Sequence, residues 1–398
     1  MPRQSEYRFS IDLPNGPACD VVRFRLFEAL SQPFRLELDL ASAQDNADPI
    51  ALLDQPAIFT IARHGEPVRQ VHGIVTAFDQ GDTGFRRTRY QAVVEPSLVR
   101  LNLRHNSRIF QRNGVPDIIG TLLKEQRVLS RFDLPRAKHH LEREYCVQHR
   151  EQDLQFFQRL AGEEGLVYYF DADEQSKLVL SDALFITAPS LARVANAPGT
   201  VTYQPNPGGD AGPCLWRFTY RQKMAFTHVT QRDYLFKNPP VRLETRSSAV
   251  DAVGHYEHYS YPGRYKDSNA GDRFTQTLTN ALRNEATLAE LEGDDARLWP
   301  GLGFVLDGRP NSSMQKDWRV ASLHHEGEQS SSLEEESSGA EHGSRYRYTG
   351  TAVPGRADWK PEPCARPVMA GPQIAPVVGP PNEEIHTDDH GRVMVWFP

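Results

Sequence analysis

The most metal-like group in the sequence is His386, Asp388 and His390, whose side chains would share one face if the segment were a strand. The run Asp-Asp-His-Gly is equally a turn that precedes a strand, and the composition favours the turn. The adjacent pairs His139-His140 and His324-His325 would point apart in a strand, so surface or partly buried histidines are expected there. No metal site is predicted.

Two adjacent carboxylate pairs offer the next chemistry. Glu163-Glu164 stands at the end of a predicted helix and Asp294-Asp295 follows another. Glycoside hydrolysis needs two carboxyl groups that face one cleft, which adjacency does not supply, so solvated pairs are expected. The sequence also lacks the nucleophile-elbow, phosphate-loop and zinc-protease motifs. We therefore predict no catalytic residue and no cofactor.

The cysteines and tyrosines are also expected to have structural roles. The four cysteines are far apart, which favours reduced thiols over a disulfide framework, and Cys146 is expected to be buried and structural. Four tyrosines around one turn could stack sugars or bases, but sheet packing is the favoured interpretation. They are Tyr256, Tyr259, Tyr261 and Tyr265.

Composition limits the class of protein. The chain has 398 residues, with 39% hydrophobic and 24% charged, enough for two or three domains with proper cores. A formal net charge of -7 without a basic stripe argues against a nucleic-acid binder. The opening residues contain no signal-peptide run, and no stretch approaches the roughly 20 apolar residues of a membrane span. No stable membrane insertion is predicted, and export would need a route without a cleavable signal.

The elements that carry these residues centre on positions 145–182. Residues 152–164 show an apolar stripe at helical spacing, and Gly165 supplies a left-handed stop. Leu166 to Phe170 then forms a strand that is apolar on both faces. Such a strand must be covered on both sides, either by the chain's own core or by another chain.

The remaining pattern is mainly β with inserted α/β elements. Alternating strands fill residues 1–95 and predict a barrel or sandwich, while residues 96–185 form an α/β insertion with a further helix at Pro116 to Leu129. Residues 186–366 return to strands and include a long helix at 272–291. Ser/Glu-rich residues 326–344 predict a mobile loop, Pro-rich residues 367–385 an extended neck, and residues 386–398 a strand at which the sequence is expected to be cut off.

Four motifs in order resemble the VgrG family, the spike proteins of type VI secretion systems, across nearly the whole chain. They are REYCVQHREQDLQFFQRLAGEEGLVYYF, YPGRY, LWPGLGFVLDGRP with WRVASLHHE, and GPQIAPVVGPPNEEIHTDDHGRVMVWFP. The family-motif residues are Tyr261, Pro262, Gly263, Gly391 and Arg392. Two departures concern loops only: Arg309-Pro310 replaces a usual His-Pro, and the Ser/Glu-rich segment looks longer than in the family.

The resemblance implies a phage-tail-hub fold with two barrel-like domains, assembled as a homotrimer whose pseudo-sixfold ring seats on the hexameric Hcp tube. The neck would lead to a small OB-like domain, of which 386–398 is the first strand. Baseplate components are implied as partners, and a PAAR tip protein and effectors would bind through regions beyond this sequence. The implied route is assembly in the bacterial cytoplasm and secretion, without a signal peptide, into the medium or a target cell.

The trimer expectation gives interface or neck candidates, which are Leu166, Tyr168, Phe170, Pro376, Val377, Val378 and Ile385. The long helix from Asp272 is a further interface candidate. Two alternatives are a baseplate hub of a contractile phage or related particle and, as a different class, a tail-associated hydrolase. No motif favours the hydrolase, whereas the phage hub shares the architecture and would be distinguished by the sequence that follows Pro398.

Overall fold

A computed structural model describes residues 6–84, 86–172, 175–194, 199–208, 212–250, 253–309, 311, 317–329, 343–383 and 386–397. Within these ranges the chain is mainly β, in agreement with the sequence prediction. Two barrels, an α/β insertion and a small α/β unit follow one another along the chain. None of the described helices is long and apolar enough to cross a membrane.

The first barrel closes on itself. Its strands run in the order β1-β4-β5-β6-β3-β2, and β1 pairs with β2 to complete the ring. Alternate side chains of each strand, such as Phe24, Leu36 and Phe59, point inward and are fully buried. The strands are β1 Tyr7–Asp12, β2 Asp20–Ala29, β3 Gln32–Ser42, β4 Pro56–Arg63, β5 Glu66–Thr83 and β6 Thr88–Glu95, with the short helix α1 Pro49–Leu52 before β4.

The second barrel also contains six strands, in the ring order β13-β17-β20-β19-β18-β12. A bridge between Tyr203 and Leu215 joins its two ends. Antiparallel pairing of β19 with β2 makes the two barrels one continuous sheet. The strands are β12 Thr200–Thr202, β13 Leu215–Gln222, β17 Thr287–Gly293, β18 Gly303–Asp307, β19 Asp317–Glu328 and β20 Arg345–Pro354.

The prediction of one helix over 272–291 is wrong in its second half. The helix α6 spans Ser268–Ala281, and residues 287–293 form β17, a central strand between β13 and β20. In β17 the buried residues alternate, with Ala289, Leu291 and Gly293 inside. This alternation is typical of a strand, whereas the four-residue spacing of leucines is typical of a helix. The strand forms because it pairs with β13 and β20.

The α/β insertion has its own hydrophobic core. Helices α2 and α3 cover a three-stranded sheet ordered β10-β11-β8, beside a two-stranded ribbon of β7 and β9. The predicted helix at 152–164 is confirmed, and Gly165 ends it at φ 67°. The elements are β7 His105–Asn113, α2 Val115–Glu125, β8 Ser130–Asp133, β9 Arg143–Gln152, α3 Asp153–Glu164, β10 Val167–Asp171, β11 Lys177–Ser181, and the single turns α4 Leu184–Thr187 and α5 Leu191–Val194. Short 3₁₀ helices cover Ser97–Leu103 and Ala137–His139.

A small unit lies between β13 and β17 in sequence. Its sheet, ordered β15-β14-β16, is covered by α6, and Tyr265, Leu243 and Ala270 form its centre. The strands are β14 His228–Asp233, β15 Leu243–Ser248 and β16 Glu257–Ser260. Asp267 caps α6 by accepting a hydrogen bond from the backbone N–H of Ala270.

After β20 the chain crosses the insertion and leaves it as an exposed neck. The neck ends in a hairpin of β21 Val377–Val378 and β22 Met394–Val395. The predicted loop at 326–344 begins later than expected, because Glu326 to Glu328 still belong to β19. Most of that loop, residues 330–342, lies outside the described residues.

Candidate functional site

The doubly apolar strand β10 is covered by its own chain on both faces. Leu166 and Tyr168 pack into the core of the insertion, while Val167 and Tyr169 pack into the core shared with the barrels. All four are at most 1% exposed. Leu166 and Tyr168 therefore have no surface to offer a partner. Phe170 is half-buried and touches both cores, so its candidacy for an interface stays a prediction.

The interface candidates with exposed apolar side chains lie instead in the neck and its hairpin. Val377 is 64% exposed and Val378 37%, and Pro376 is exposed beside them. Ile374 is 92% exposed, and the other strand of the hairpin adds more apolar side chains. These are Met394, Val395, Trp396 and Phe397. Ile385 lies outside the described residues. A contiguous apolar patch of this kind is typical of an interaction surface.

The hairpin's turn is the one expected from Asp-Asp-His-Gly. Asp388 accepts hydrogen bonds from the backbone N–H groups of His390 and Arg392, and Gly391 lies at φ 74°. The carboxylate of Asp388 therefore stabilises the turn. Within the described ranges, no group of three or more His, Cys, Asp or Glu side chains is placed to hold a metal. Arg392 also reaches the insertion, with 2.8 Å between its guanidinium and Glu144.

The YPGRY motif organises the small α/β unit. The Tyr261-Pro262 peptide bond is cis, and the backbone N–H of Gly263 donates to the carbonyl of Arg232 at 2.8 Å. Tyr265 is buried, and its hydroxyl donates to the carbonyl of Gln231 at 2.8 Å. Tyr261 itself is 62% exposed. The expectation that all four tyrosines pack in the sheet is therefore correct only for Tyr265. Tyr256 and Tyr259 are exposed as well.

A buried polar cluster joins the two barrels. Nη2 of Arg69 donates to both carboxylate oxygens of Glu28 of β2, at 2.7 and 2.6 Å, and Glu28 lies 3.0 Å from His325. The other ring nitrogen of His325 contacts the hydroxyl of Tyr346 at 2.8 Å. Burial opposes the charge of Glu28, but Arg69 and His325 outweigh it and lower its pKa. We call Glu28, Arg69, His325 and Tyr346 the barrel cluster.

A second buried cluster lies at the end of α3. The ring of His140 is held between Glu164 at 3.0 Å and Asp182 at 3.2 Å, and all three side chains are 4% exposed. Arg143 completes it with a 2.7 Å contact to Glu164. Burial lowers the pKa of His140, yet the hydrogen bonds to Asp182 and Glu164 outweigh it and raise the pKa to about 9. This group, the α3 cluster, holds an imidazolium that donates from both ring nitrogens.

Both clusters correct the sequence predictions. His325 is fully buried and His140 nearly so, although surface or partly buried histidines were expected. Glu164 and the pair Asp294-Asp295 are buried, although solvated carboxylates were expected. Asp294 accepts from the backbone N–H of Cys214, and Asp295 pairs with Arg297. These carboxylates have structural partners and do not face each other across a cleft. Cys146 is buried, as predicted, and burial raises its pKa.

The sequence could have marked the charged members of the barrel cluster as residues that need buried partners. Glu28, Arg69 and His325 interrupt strands whose inward positions are otherwise apolar, and a charge at such a position needs a buried partner. No comparable signal exists for Lys360, which is 3% exposed, because it stands in an irregular segment without a period. A surface groove of about 420 Å³ lies beside Met224, Phe226 and Tyr256, and the hydrogen bond from Lys223 lowers the pKa of Glu285, which also lines it.

Two closed six-stranded barrels joined edge to edge, with an α/β insertion, define a phage-tail-hub type of fold. Among solved structures the chain is similar to an Escherichia coli component of the type VI secretion system that is described as similar to the T4 bacteriophage tail proteins gp27 and gp5. The TM-score is 0.71 at 20% identity, covering 98% of this chain and 88% of that one. It is also similar to the 43 kDa tail protein of prophage MuSo2 from Shewanella oneidensis, with a TM-score of 0.59 at 10% identity, covering 88% and 99%.

Residues 27–331 match the phage tail baseplate hub family, and the chain belongs to that family. Its sequence relatives are VgrG spike proteins of type VI secretion systems, as the four motifs indicated. The chain is 46% identical to VgrG2b of Pseudomonas aeruginosa over its whole length and 38% identical to VgrG3 of Vibrio cholerae over 92% of it. It spans 39% and 35% of those proteins' lengths. These relatives do not favour the alternatives of a phage hub or a tail-associated hydrolase.

Proposed function

We propose that this chain is the structural hub of a trimeric cell-puncturing spike, which caps the Hcp tube of a type VI secretion system and is driven into a target cell with its effectors. The observation that carries the proposal is the pair of six-stranded barrels within one continuous sheet. Three chains present six barrels, and six similar units around one axis match the symmetry of a hexameric tube.

A structural role without catalysis in this region agrees with the placement of the ionisable side chains. Glu28 pairs with Arg69, Glu164 pairs with Arg143, and Asp294 accepts from the backbone N–H of Cys214, which supports structural roles for these buried carboxylates. One relative is named the actin cross-linking toxin VgrG1 of Vibrio cholerae, and this chain covers 33% of it.

The neck supplies the contact by which three chains would associate. Val377, Val378, Ile374 and the hairpin residues Met394 and Trp396 expose apolar side chains that one copy leaves uncovered. In a cyclic trimer each interface joins two different surfaces and the ring must close, so an apolar neck beside the threefold axis would be buried by its two neighbours. Pro376 and Ile385 belong to the same proposed contact.

The partners follow from this role. The barrels would meet the Hcp tube and baseplate components, while a PAAR tip protein and effectors would bind other parts of the spike. The protein would assemble in the bacterial cytoplasm and be secreted, without a signal peptide, into the medium or a target cell. The names of the VgrG relatives support the role in type VI secretion from which these partners and this route are proposed.

Electron microscopy of the chain mixed with Hcp tubes tests the proposal. We expect threefold particles with six barrel densities at tube ends. Val377→Asp should reduce the number of capped ends, because it places a charge in the apolar neck contact. Val250→Asp is the matched control, since Val250 is 98% exposed and lies outside the neck. Monomers that leave the tube ends bare, with the unsubstituted chain, would contradict the proposal.

A further inference from the structure

We propose that residues 355–366, which we call the strap, are an internal anchor through which load on the neck passes into the insertion and α6. The strap follows β20 and precedes the neck, so any tension along the chain between barrel and neck runs through it. The proposal rests on the proposed function in one respect, which is that the neck of a spike carries mechanical tension. The anchoring contacts themselves are properties of the single chain.

The centre of the strap is the buried ammonium group of Lys360. Its Nζ donates to the carbonyl of Gly165 at 3.2 Å and to the carbonyl of Asp182 at 2.5 Å, and it lies 3.2 Å from the carboxylate of Asp358. The first carbonyl belongs to the C-cap of α3 and the second follows β11. One side chain therefore ties the strap to two separate elements of the insertion, and the carbonyls at a helix C-terminus favour a cation.

The backbone of the same residue is held from the opposite side by the turn that follows α6. Asn284 donates through its side-chain amide to the carbonyl of Lys360 at 2.6 Å and accepts from its backbone N–H at 3.4 Å. Asp358 accepts from Arg136 of the insertion at 3.0 Å and from Asn280 of α6 at 3.3 Å. The strap is thus bonded to both neighbouring units within three residues of chain.

Close backbone packing continues toward the point where the neck becomes exposed. A Cβ on Gly162 would lie 3.0 Å from the carbonyl oxygen of Glu362, so the backbone of α3 packs closely against the backbone of the strap at this point. Arg366 then pairs with Glu163 at 2.6 Å. From Pro367 onward the described chain is almost entirely exposed, which makes Arg366 the last anchored residue before the neck.

This arrangement changes how tension would act on the second barrel. Without the strap, a pull on the neck would reach the end of β20 directly and break its ladder bonds one after another from Pro354 inward. With the strap, the load is shared by α3, the end of β11 and α6 before it reaches β20. The contacts at Lys360 must then open before the strand does, so the barrel is protected by the anchor.

Hydrogen exchange measured by mass spectrometry on the whole chain tests the anchor. Lys360→Met keeps the length of the side chain but leaves two buried carbonyls without their donor. We expect amide exchange in residues 355–366 and 162–166 to quicken about tenfold or more, with the barrel strands unchanged. The control is Lys223→Met, which removes an exposed lysine paired with Glu285 and should alter neither region.

Asn284→Ala is the second variant and removes the anchor from the α6 side without touching the ammonium group. Asn284→Ala should also quicken amide exchange in the strap. It replaces Lys360→Met as the test if that variant is too unstable to measure. Unchanged exchange in the strap, or an equal increase in the barrels, would overturn the proposal. Because no tube protein or trimer is needed, a failure here is distinct from a failure of the proposed hub function.

Discussion

At the scale of single residues, the buried charged groups of the barrel cluster and the α3 cluster have structural partners in the fold. In the described part of the chain, the buried carboxylates of both clusters have cationic partners, and the buried histidines have carboxylate neighbours. Such groups stabilise the native state only while every partner is present. Their roles are therefore measured by stability.

The barrel cluster gives the first prediction. Glu28→Gln removes the charge that Arg69 needs and should lower the free energy of unfolding by about 3–5 kcal/mol, because an unpaired buried guanidinium is left behind. Glu37→Gln, on the adjacent strand, removes an exposed partner of Arg35 and should cost about 0–1 kcal/mol. Urea unfolding of both variants checks this. Equal losses would show that the barrel cluster carries no special stability.

The α3 cluster predicts a pH dependence. The pKa of His140 rises from 6.5 to about 9 on folding, so the folded state binds more protons in that window and stability falls as pH increases. The contribution is complete below pH 6.5 and is lost as pH passes 9. It should amount to about 1–3 kcal/mol.

Thermal unfolding of the unsubstituted chain and of His140→Gln measures this contribution. The difference in Tm should be largest near about pH 6 and should shrink toward about pH 9.5. A difference that stays constant across the window, or grows with pH, would refute a charged His140 between Glu164 and Asp182.

At the scale of elements, glycine is required at position 165 both by the left-handed backbone that ends α3 and by the side chains packed against it. Its φ of 67° ends α3, and a Cβ there would lie 2.7 Å from Thr277 Cγ2 and 3.1 Å from Lys360 Cδ. Gly165→Ala should therefore cost about 1–3 kcal/mol. Gly120→Ala in α2 is the control, because nothing lies within 4 Å of its Cβ and alanine favours a helix. Denaturant midpoints that shift equally would contradict this explanation of the α3 stop.

The elements also show what the sequence could predict. The helix at 152–164 and the series of strands within residues 1–95 follow simple periods, and the structure contains both, as α3 and as β1 to β6. The helix at 272–291 was extended too far, because its leucine spacing suited both a helix and the buried strand β17. The partners of Glu28, His140 and Lys360 come from distant parts of the chain, and no local pattern could have paired them.

At the scale of the whole molecule, the strand pattern predicts a barrel or sandwich for residues 1–95, and only the family resemblance implies a second barrel-like domain. The edge pairing of β2 with β19, about three hundred positions apart in the chain, makes one sheet out of both barrels, and no sequence repeat announces it. The neck and its hairpin also expose apolar side chains that one copy of the chain leaves uncovered. The central claim is therefore that this chain is one third of a symmetric hub.

The mass of the chain in solution tests that claim most directly. Light scattering on a size-exclusion column should give three times the 45.0 kDa mass of one chain, because the exposed neck and barrels are covered only in the trimer. Val377→Asp should move the mass toward that of a monomer while Val250→Asp leaves it unchanged. A single 45.0 kDa species at every concentration tested would contradict the trimeric hub.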